Sequence, residues 1–164
     1  MNALMDKPYS GPALVLALSV AVAGAALASQ HLGGLGPCIL CYYQRYPWYL
    51  TIVLMLAAIA VPRARMALLV LAAAALAVNV GIAFYHVGVE HKVFAGPASC
   101  ASGTITGATV EALRAQLAGQ KIVRCDEPAF VLFGLSMAGY NLLASAAVAF
   151  IAARLAMKLR NRTP

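Results

Sequence analysis

Four apolar runs, each near the length of a bilayer crossing and set apart by polar segments, leave this chain few ways to fold. They cover residues 12–32, 46–61, 66–86 and 129–153. A helix needs about 20 apolar residues to cross the hydrocarbon core, because each residue adds about 1.5 Å. Within lipid every backbone amide must find its partner inside the segment, which a helix does by itself. The second run is short unless the turn before it joins it. Pro47 has no amide hydrogen and restricts Tyr46, so a kink or a restart is expected there. Composition agrees with membrane residence: 63% of the residues are hydrophobic, 10% are charged and the mean hydropathy is +0.83, outside the soluble range. The expected fold is an all-α integral membrane protein, a four-helix bundle forming one domain over residues 1–164. Two loops, at about 33–45 and 87–128, lie on one side of the membrane.

The first run invites a rival reading as a secretory signal, because Ala26-Leu27-Ala28 resembles a cleavage site. Its apolar stretch exceeds the usual signal core of about 7–15 residues, so it is read as a retained span. Basic residues then set the orientation. Lys7, Arg63, Arg65, Arg154, Lys158, Arg160 and Arg162, seven of the twelve, fall on the side of the N-terminus, the 62–65 turn and the C-terminal tail. Arg45, Lys92, Arg114, Lys121 and Arg124 fall on the other side, among Glu90, Glu111, Asp126 and Glu127. The positive-inside rule puts the first group in the cytoplasm and all four cysteines outside. The basic residues form no patch interleaved with aromatics, so nucleic acid is not an expected partner.

Cysteines on the outer face of a bacterial inner membrane meet an oxidising compartment. Cys38 and Cys41 form a CxxC in Pro37-Cys38-Ile39-Leu40-Cys41-Tyr42-Tyr43-Gln44-Arg45. Two such thiols can close a small ring, and strained or exposed disulfides are the labile ones. Pro37 suits the first position of a helix, whose N-terminus favours a thiolate. In that helix Cys41 and Arg45 form an i,i+4 pair, which sets a permanent cation beside a sulfur that must at times be an anion. A structural disulfide and half of a zinc site are the other readings of the motif. His31, His86 and His91 could join the cysteines at a metal, but no second CxxC or paired histidine spacing supports a closed tetrahedral site; none is expected. Tyr42, Tyr43, Tyr46, Trp48 and Tyr49 suit an interfacial aromatic belt, and some could wall a flat hydrophobic ligand. Asn79, inside the third run, is expected to hydrogen-bond a neighbouring helix.

The longer loop carries Cys100 and Cys125. Thr109 to Gly119 reads as a short amphipathic helix, capped by Thr109, ended by Gly119, with Val110, Leu113 and Leu117 on one face. Gly96, Pro97, Gly103 and Gly107 around Cys100 break regular structure. Two cysteines per outer loop invite a relay from pair to pair. Two structural disulfides, or a bridge between the loops, remain alternatives.

These residues together resemble the DsbB family of bacterial inner-membrane proteins. The likeness spans nearly the whole chain and rests on several features: the four spans, the Pro-Cys-x-x-Cys-x-x-Gln-Arg stretch, Glu90-His91 before Cys100, the Cys100/Cys125 loop, and Phe133-Gly134-Leu135-Ser136-Met137. The resemblance implies an oxidoreductase that reoxidises a periplasmic DsbA-like dithiol oxidase and passes the electrons to a membrane quinone, ubiquinone or menaquinone. The DsbA–DsbB–quinone system is what keeps the bacterial periplasm oxidising, and DsbA, at about −120 mV, needs a stronger acceptor downstream.

Carried onto this chain, the resemblance makes Cys100 the sulfur attacked by the partner. Cys125 then resolves the mixed disulfide, or the electrons move on by exchange with Cys38. Cys41 would face the quinone, with Arg45 stabilising both its thiolate and the electron-rich ring. His91 would lie near the quinone headgroup, with His86 as the competing candidate. Three rivals stand beside this reading. One is a DsbB-like paralogue serving a dedicated partner. Another is an enzyme similar to vitamin K epoxide reductase, in which the loop cysteines precede the CxxC. The third is a non-enzymatic interaction protein with structural disulfides.

Overall fold

The computed structural model describes residues 9–97, 109–111 and 123–161. Four long helices follow one another: α1 (Ser10–His31), α2 (Ile39–Ala60), α3 (Arg65–Glu90) and α4 (Met137–Arg160). A single 3-10 turn, Pro62–Ala64, joins α2 to α3. α3 lies at the centre, packed mainly on α4 and α2, while α1 packs on α2 and α4.

The bundle is held by narrow buried stripes. On α3 the buried positions from Arg65 to His86 are Arg65, Leu69, Ala72, Leu76, Asn79, Ala83 and His86, steps of four and three alternating, and Gly88 and Val89 are buried beyond them where the second loop folds over. On α2 they are Leu40, Gln44, Trp48, Thr51, Met55 and Ala58. A repeat averaging 3.5 residues keeps one seam facing its neighbours along the whole helix, the pattern of helices wound around each other. Much of the seam is small or polar, which lets backbones approach and supplies hydrogen bonds where lipid offers none. Many large apolar side chains also point outward: Leu50, Val53 and Leu56 of α2, Val78 and Phe84 of α3, and Leu143 and Phe150 of α4 are exposed. A soluble bundle could not bear such an exterior; a bilayer covers it. α1, the segment Pro62–Glu90 and α4 are each long and apolar enough to cross a membrane. The N-terminal half of α2, with Gln44, Arg45 and four tyrosines, is more polar.

The structure departs from the sequence reading at three places. α2 runs unbroken through Pro47, where a kink or restart was expected. The carbonyl that Pro47 leaves without a donor belongs to Tyr43, on an exposed face, so the lost bond is not buried in the seam. The helix begins at Ile39 with Cys38 as N-cap, which places Pro37 one residue outside the helix rather than at its first position. The third difference lies before α4. Residues expected to open the fourth span form a two-residue-strand hairpin instead, β1 (Val131–Leu132) against β2 (Leu135–Ser136). Phe133 and Gly134 at its tip both have positive φ, 50° and 79°, the backbone of a type I′ turn. Gly134 is the residue that makes this turn affordable, since only glycine takes that conformation without strain. Of the short helix expected over Thr109–Gly119, Val110 and Glu111 are helical and the remainder lies outside the described residues.

α3 outlasts its apolar run by a full turn, to Glu90, and then reverses. The amides of Val93 and Lys92 bond the carbonyls of Gly88 and Val89 at 2.8 and 3.0 Å, a Schellman closure with Lys92 in the left-handed position at φ 59°. Gly88 has no side chain where the Phe94 ring folds back onto the helix. At the far end of the second loop, Val123 and Cys125 pack with Cys38 and Leu40 at the N-terminus of α2.

Candidate functional site

The CxxC opens α2. Cys38 is its N-cap, and its sulfur accepts the amide of Cys41 at 3.2 Å. An N-cap atom faces the unpaired amides and the positive end of the helix dipole, so a sulfur placed there gains most when it is anionic. Cys38 and Cys41 are not bonded to each other in the structure, and their sulfurs lie 2.8 Å apart. Cys38 is buried and Cys41 half-buried. Cys125 is disulfide-bonded and buried, and it shares a cluster with Cys38, Leu40 and Val89, against which Cys41, Tyr85 and Val123 pack. Three of the four cysteines singled out from sequence are thus brought together. Cys100 lies outside the described residues.

His86, one turn before the end of α3, faces the CxxC. Its Nε2 is 3.5 Å from the Cys38 sulfur and its Nδ1 is 2.8 Å from Gln44 Nε2; the backbone of Cys125 also hydrogen-bonds it. Gln44 is held in turn: its Oε1 accepts from Asn141 Nδ2 at 2.7 Å, and Asn141 Oδ1 accepts from Trp48 Nε1 at 2.8 Å. Deeper in the seam Asn79 and Ser145 are hydrogen-bonded at 2.8 Å, the cross-helix bond expected of Asn79. With its amide turned to suit its neighbours, Asn79 also accepts from Trp48 and donates to the Gln44 carbonyl. A continuous polar chain therefore runs from Cys38 through α3, α2 and α4.

The other predicted residues divide. Arg45 is half-buried and turned toward α1: Nη1 donates to Gln30 Oε1 at 2.6 Å and Nη2 to the Ala26 carbonyl at 3.1 Å, with the guanidinium 5.4 Å from the centre of the Tyr42 ring. It ties the C-terminal turn of α1 to α2 and remains one helical turn from Cys41. His91 caps the C-terminus of α3 and is exposed. The histidine brought to the CxxC is its competitor, His86. Glu90 accepts a hydrogen bond from Ser136 Oγ, and Ser136 caps α4 by accepting the Gly139 amide at 3.1 Å, so the ends of α3 and α4 are latched. The aromatic group is split: Tyr42, Tyr43, Tyr46 and Tyr49 are exposed, while Trp48 is buried and bonded within the bundle. Cys38, Cys41 and His86 each offer a ligand atom within 4.8 Å of one another, a grouping that spacing along the chain does not reveal.

Sequence reasoning passed over Asn141, quoted Gln44 only within its motif, and assigned Trp48 to an interfacial belt that the structure shows it does not join. Their signal is faint but physical: Gln44 and Trp48 fall on the same buried stripe as Leu40 and Met55, and a polar residue on such a stripe needs a partner.

A helical bundle with a lipid-suited exterior, a CxxC at one helix terminus and a third, disulfide-bonded cysteine packed against it defines a class: membrane-embedded thiol–disulfide proteins. Comparison with known proteins narrows this. The chain belongs to the DsbB family; residues 10–155 match the family described as disulfide bond formation protein DsbB. It is also similar to an uncharacterized protein of Rickettsia prowazekii (strain Madrid E), 26% identical over 132 residues, which cover 79% of this chain and 77% of that protein. No solved structure matches the chain. Family membership makes this a multi-pass membrane protein with a role in disulfide bond formation.

Proposed function

We propose that this protein takes electrons from a periplasmic DsbA-like dithiol and delivers them to a membrane quinone through two cysteine couples, Cys100–Cys125 and Cys38–Cys41. The observation that carries the reading is the shared burial of the disulfide-bonded Cys125 and the CxxC. Sulfurs that are to exchange must be able to meet, and Cys125 and the CxxC share one buried cluster.

The partner's thiolate attacks Cys100, and Cys125 leaves with the electron pair of the broken bond. A second partner thiol then closes the partner's disulfide and releases Cys100. The loop dithiol reduces the Cys38–Cys41 disulfide by the same exchange, so two electrons and two protons move inward with each turn. The donor set beside Cys41 fits a quinone. Cys41 is the less buried residue of its pair, Tyr42 and Tyr46 near it on α2 are exposed, and the Arg45 guanidinium has donors beyond the two spent on α1. A quinone bound there supplies a two-electron, two-proton acceptor reached from the lipid. Cys41 presents the electron-rich sulfur, Arg45 supplies a cation and hydrogen bonds to an oxygen, and His91 stays a headgroup candidate at the water-facing end of α3.

The test is quinone reduction by reduced DsbA, followed by quinone absorbance with the purified protein in detergent. Catalytic turnover that Cys41→Ser and Cys125→Ser each abolish supports the relay. Turnover that persists in Cys41→Ser, or none in the unmodified protein, removes it and leaves the structural-disulfide reading.

A further inference from the structure

We propose that His86 is the N–H donor to the Cys38 sulfur, and that Trp48 imposes the required tautomer from a distance through Asn141 and Gln44. An indole nitrogen can only donate. Trp48 Nε1 lies 2.8 Å from the Asn141 side chain, so Asn141 must turn its oxygen toward the indole. Its amide nitrogen then faces Gln44, 2.7 Å away, and obliges Gln44 to present Oε1 there. Gln44 is left with its NH2 toward His86 Nδ1 at 2.8 Å. Nδ1 must therefore accept, and the neutral ring carries its proton on Nε2. That nitrogen faces Cys38 Sγ at 3.5 Å. Each amide could be turned alone, but turning any one sets two donors or two acceptors against each other in a buried seam.

The Cys38 sulfur then has two donors, the Cys41 amide and His86 Nε2–H, the latter shared with the Cys125 backbone carbonyl and with Glu90 Oε1 4.0 Å away. Their use rests on the exchange reading above. A loop thiolate attacks Cys38, the Cys38–Cys41 bond breaks, and Cys41 leaves with its electron pair. The second loop thiolate then attacks the loop sulfur of the mixed disulfide. The loop disulfide closes, Cys38 leaves as a thiolate, and the two protons of the loop thiols end on the CxxC. His86 lowers the cost of that last anion. His86 touches a reacting atom and is catalytic in this sense; Gln44, Asn141 and Trp48 are positioning residues. The same polarity speaks against Cys38, Cys41 and His86 as a resident metal site, since a metal needs the Nε2 lone pair.

The test needs neither quinone nor partner, so its outcome is independent of the proposed function. In the full chain in detergent, nitrogen NMR of histidine-labelled protein reads the tautomer, with the His86 signal assigned by its loss in His86→Gln. The expected result is the Nε2–H form in the unmodified protein and a mixture in Trp48→Phe. Separately, in a Cys41→Ser background the alkylation of Cys38 is followed against pH. The groups facing His86 are Cys38 on α2, Glu90 on α3 and the backbone of Cys125, with Arg45 further along α2. His86→Leu is expected to slow alkylation about tenfold at a given pH, a rise of about one unit in the midpoint, from loss of one hydrogen bond to an anion. His86→Gln, which keeps an N–H donor, should recover most of that loss. An Nδ1–H tautomer in the unmodified protein, equal behaviour of the Leu and Gln variants, or tight His86-dependent retention of zinc by the reduced protein would each overturn the proposal.

Discussion

Arg45 serves two ends at once, and its replacement separates them. On one side it forks onto α1, to Gln30 at 2.6 Å and the Ala26 carbonyl at 3.1 Å; on the other its charge stands one helical turn from Cys41. Lysine keeps the charge and loses the fork, whereas alanine loses both. A hydrogen bond made by a charged group contributes about 1.5–3 kcal/mol when buried and less at a half-exposed position. Arg45→Lys, which can still make one of the two bonds, should therefore cost about 1 kcal/mol of stability, and Arg45→Ala about 2 kcal/mol. The charge near Cys41 is worth about 3 kcal/mol at 6 Å and an effective dielectric of 20, and about half of that after solvent screening. That amounts to roughly a tenfold loss of quinone turnover in Arg45→Ala and little loss in Arg45→Lys. Unfolding can be followed by fluorescence of the single tryptophan, Trp48, which is buried in the seam, and turnover by quinone absorbance across a range of quinone concentrations. If lysine and alanine impair quinone use equally, the fork onto α1 is what matters and the electrostatic reasoning is refuted. If neither does, Arg45 has only a structural role.

Lys92 sits at φ 59° in the turn that ends α3, a conformation that costs a side chain about 1 kcal/mol, so Lys92→Gly should stabilise the protein by that amount in thermal unfolding; a loss of stability would mean that the lysine side chain holds the turn. The hydrogen bonds from Arg124 at 2.8 and 2.9 Å hold the Asp126 carboxyl below the usual carboxylate range. A depressed folded-state pKa means the pair's contribution is present above the ordinary value of about 3.9 and is lost as pH falls through the lower one. Phosphine reduction of the adjoining Cys125 disulfide should accordingly quicken only below about pH 4, and Asp126→Asn should bring that quickening to neutral pH; a profile unchanged by the substitution would dismiss the pair. Cys125→Ser leaves Cys100 a free thiol, which should open the disulfide of the oxidised partner and accumulate as a mixed disulfide with no Cys125 to take it over, seen on a non-reducing gel and by peptide mapping, whereas an adduct on Cys38 would reverse the assignment of the two couples.

What the chain's own order determined is what depends on near neighbours. Four apolar runs are enough to specify a membrane bundle, because hydrocarbon admits few backbone solutions. A CxxC at the start of a helical run is enough to place sulfurs near free amides, because the unpaired amides are confined to the first turn; that Cys38 itself is the cap came from the fold. Asn79 could be read as a cross-helix donor for the same reason: a lone amide on an apolar helix has nowhere else to turn. Only the tertiary structure decided which histidine meets the CxxC. His86 and His91 are five residues apart, which on a helix of 3.6 residues per turn sends them in different directions, and the choice depends on where α2 crosses α3. The chain through Gln44, Asn141 and Trp48 joins residues up to 97 positions apart, and no local pattern encodes such a pairing. Hydropathy missed the hairpin before α4 because Val131, Leu132 and Leu135 look alike in a helix or a strand, and it is the left-handed pair Phe133-Gly134 that turns the chain. Hydropathy is set residue by residue, while the direction of a hydrogen bond is settled only when its donor and acceptor are brought face to face.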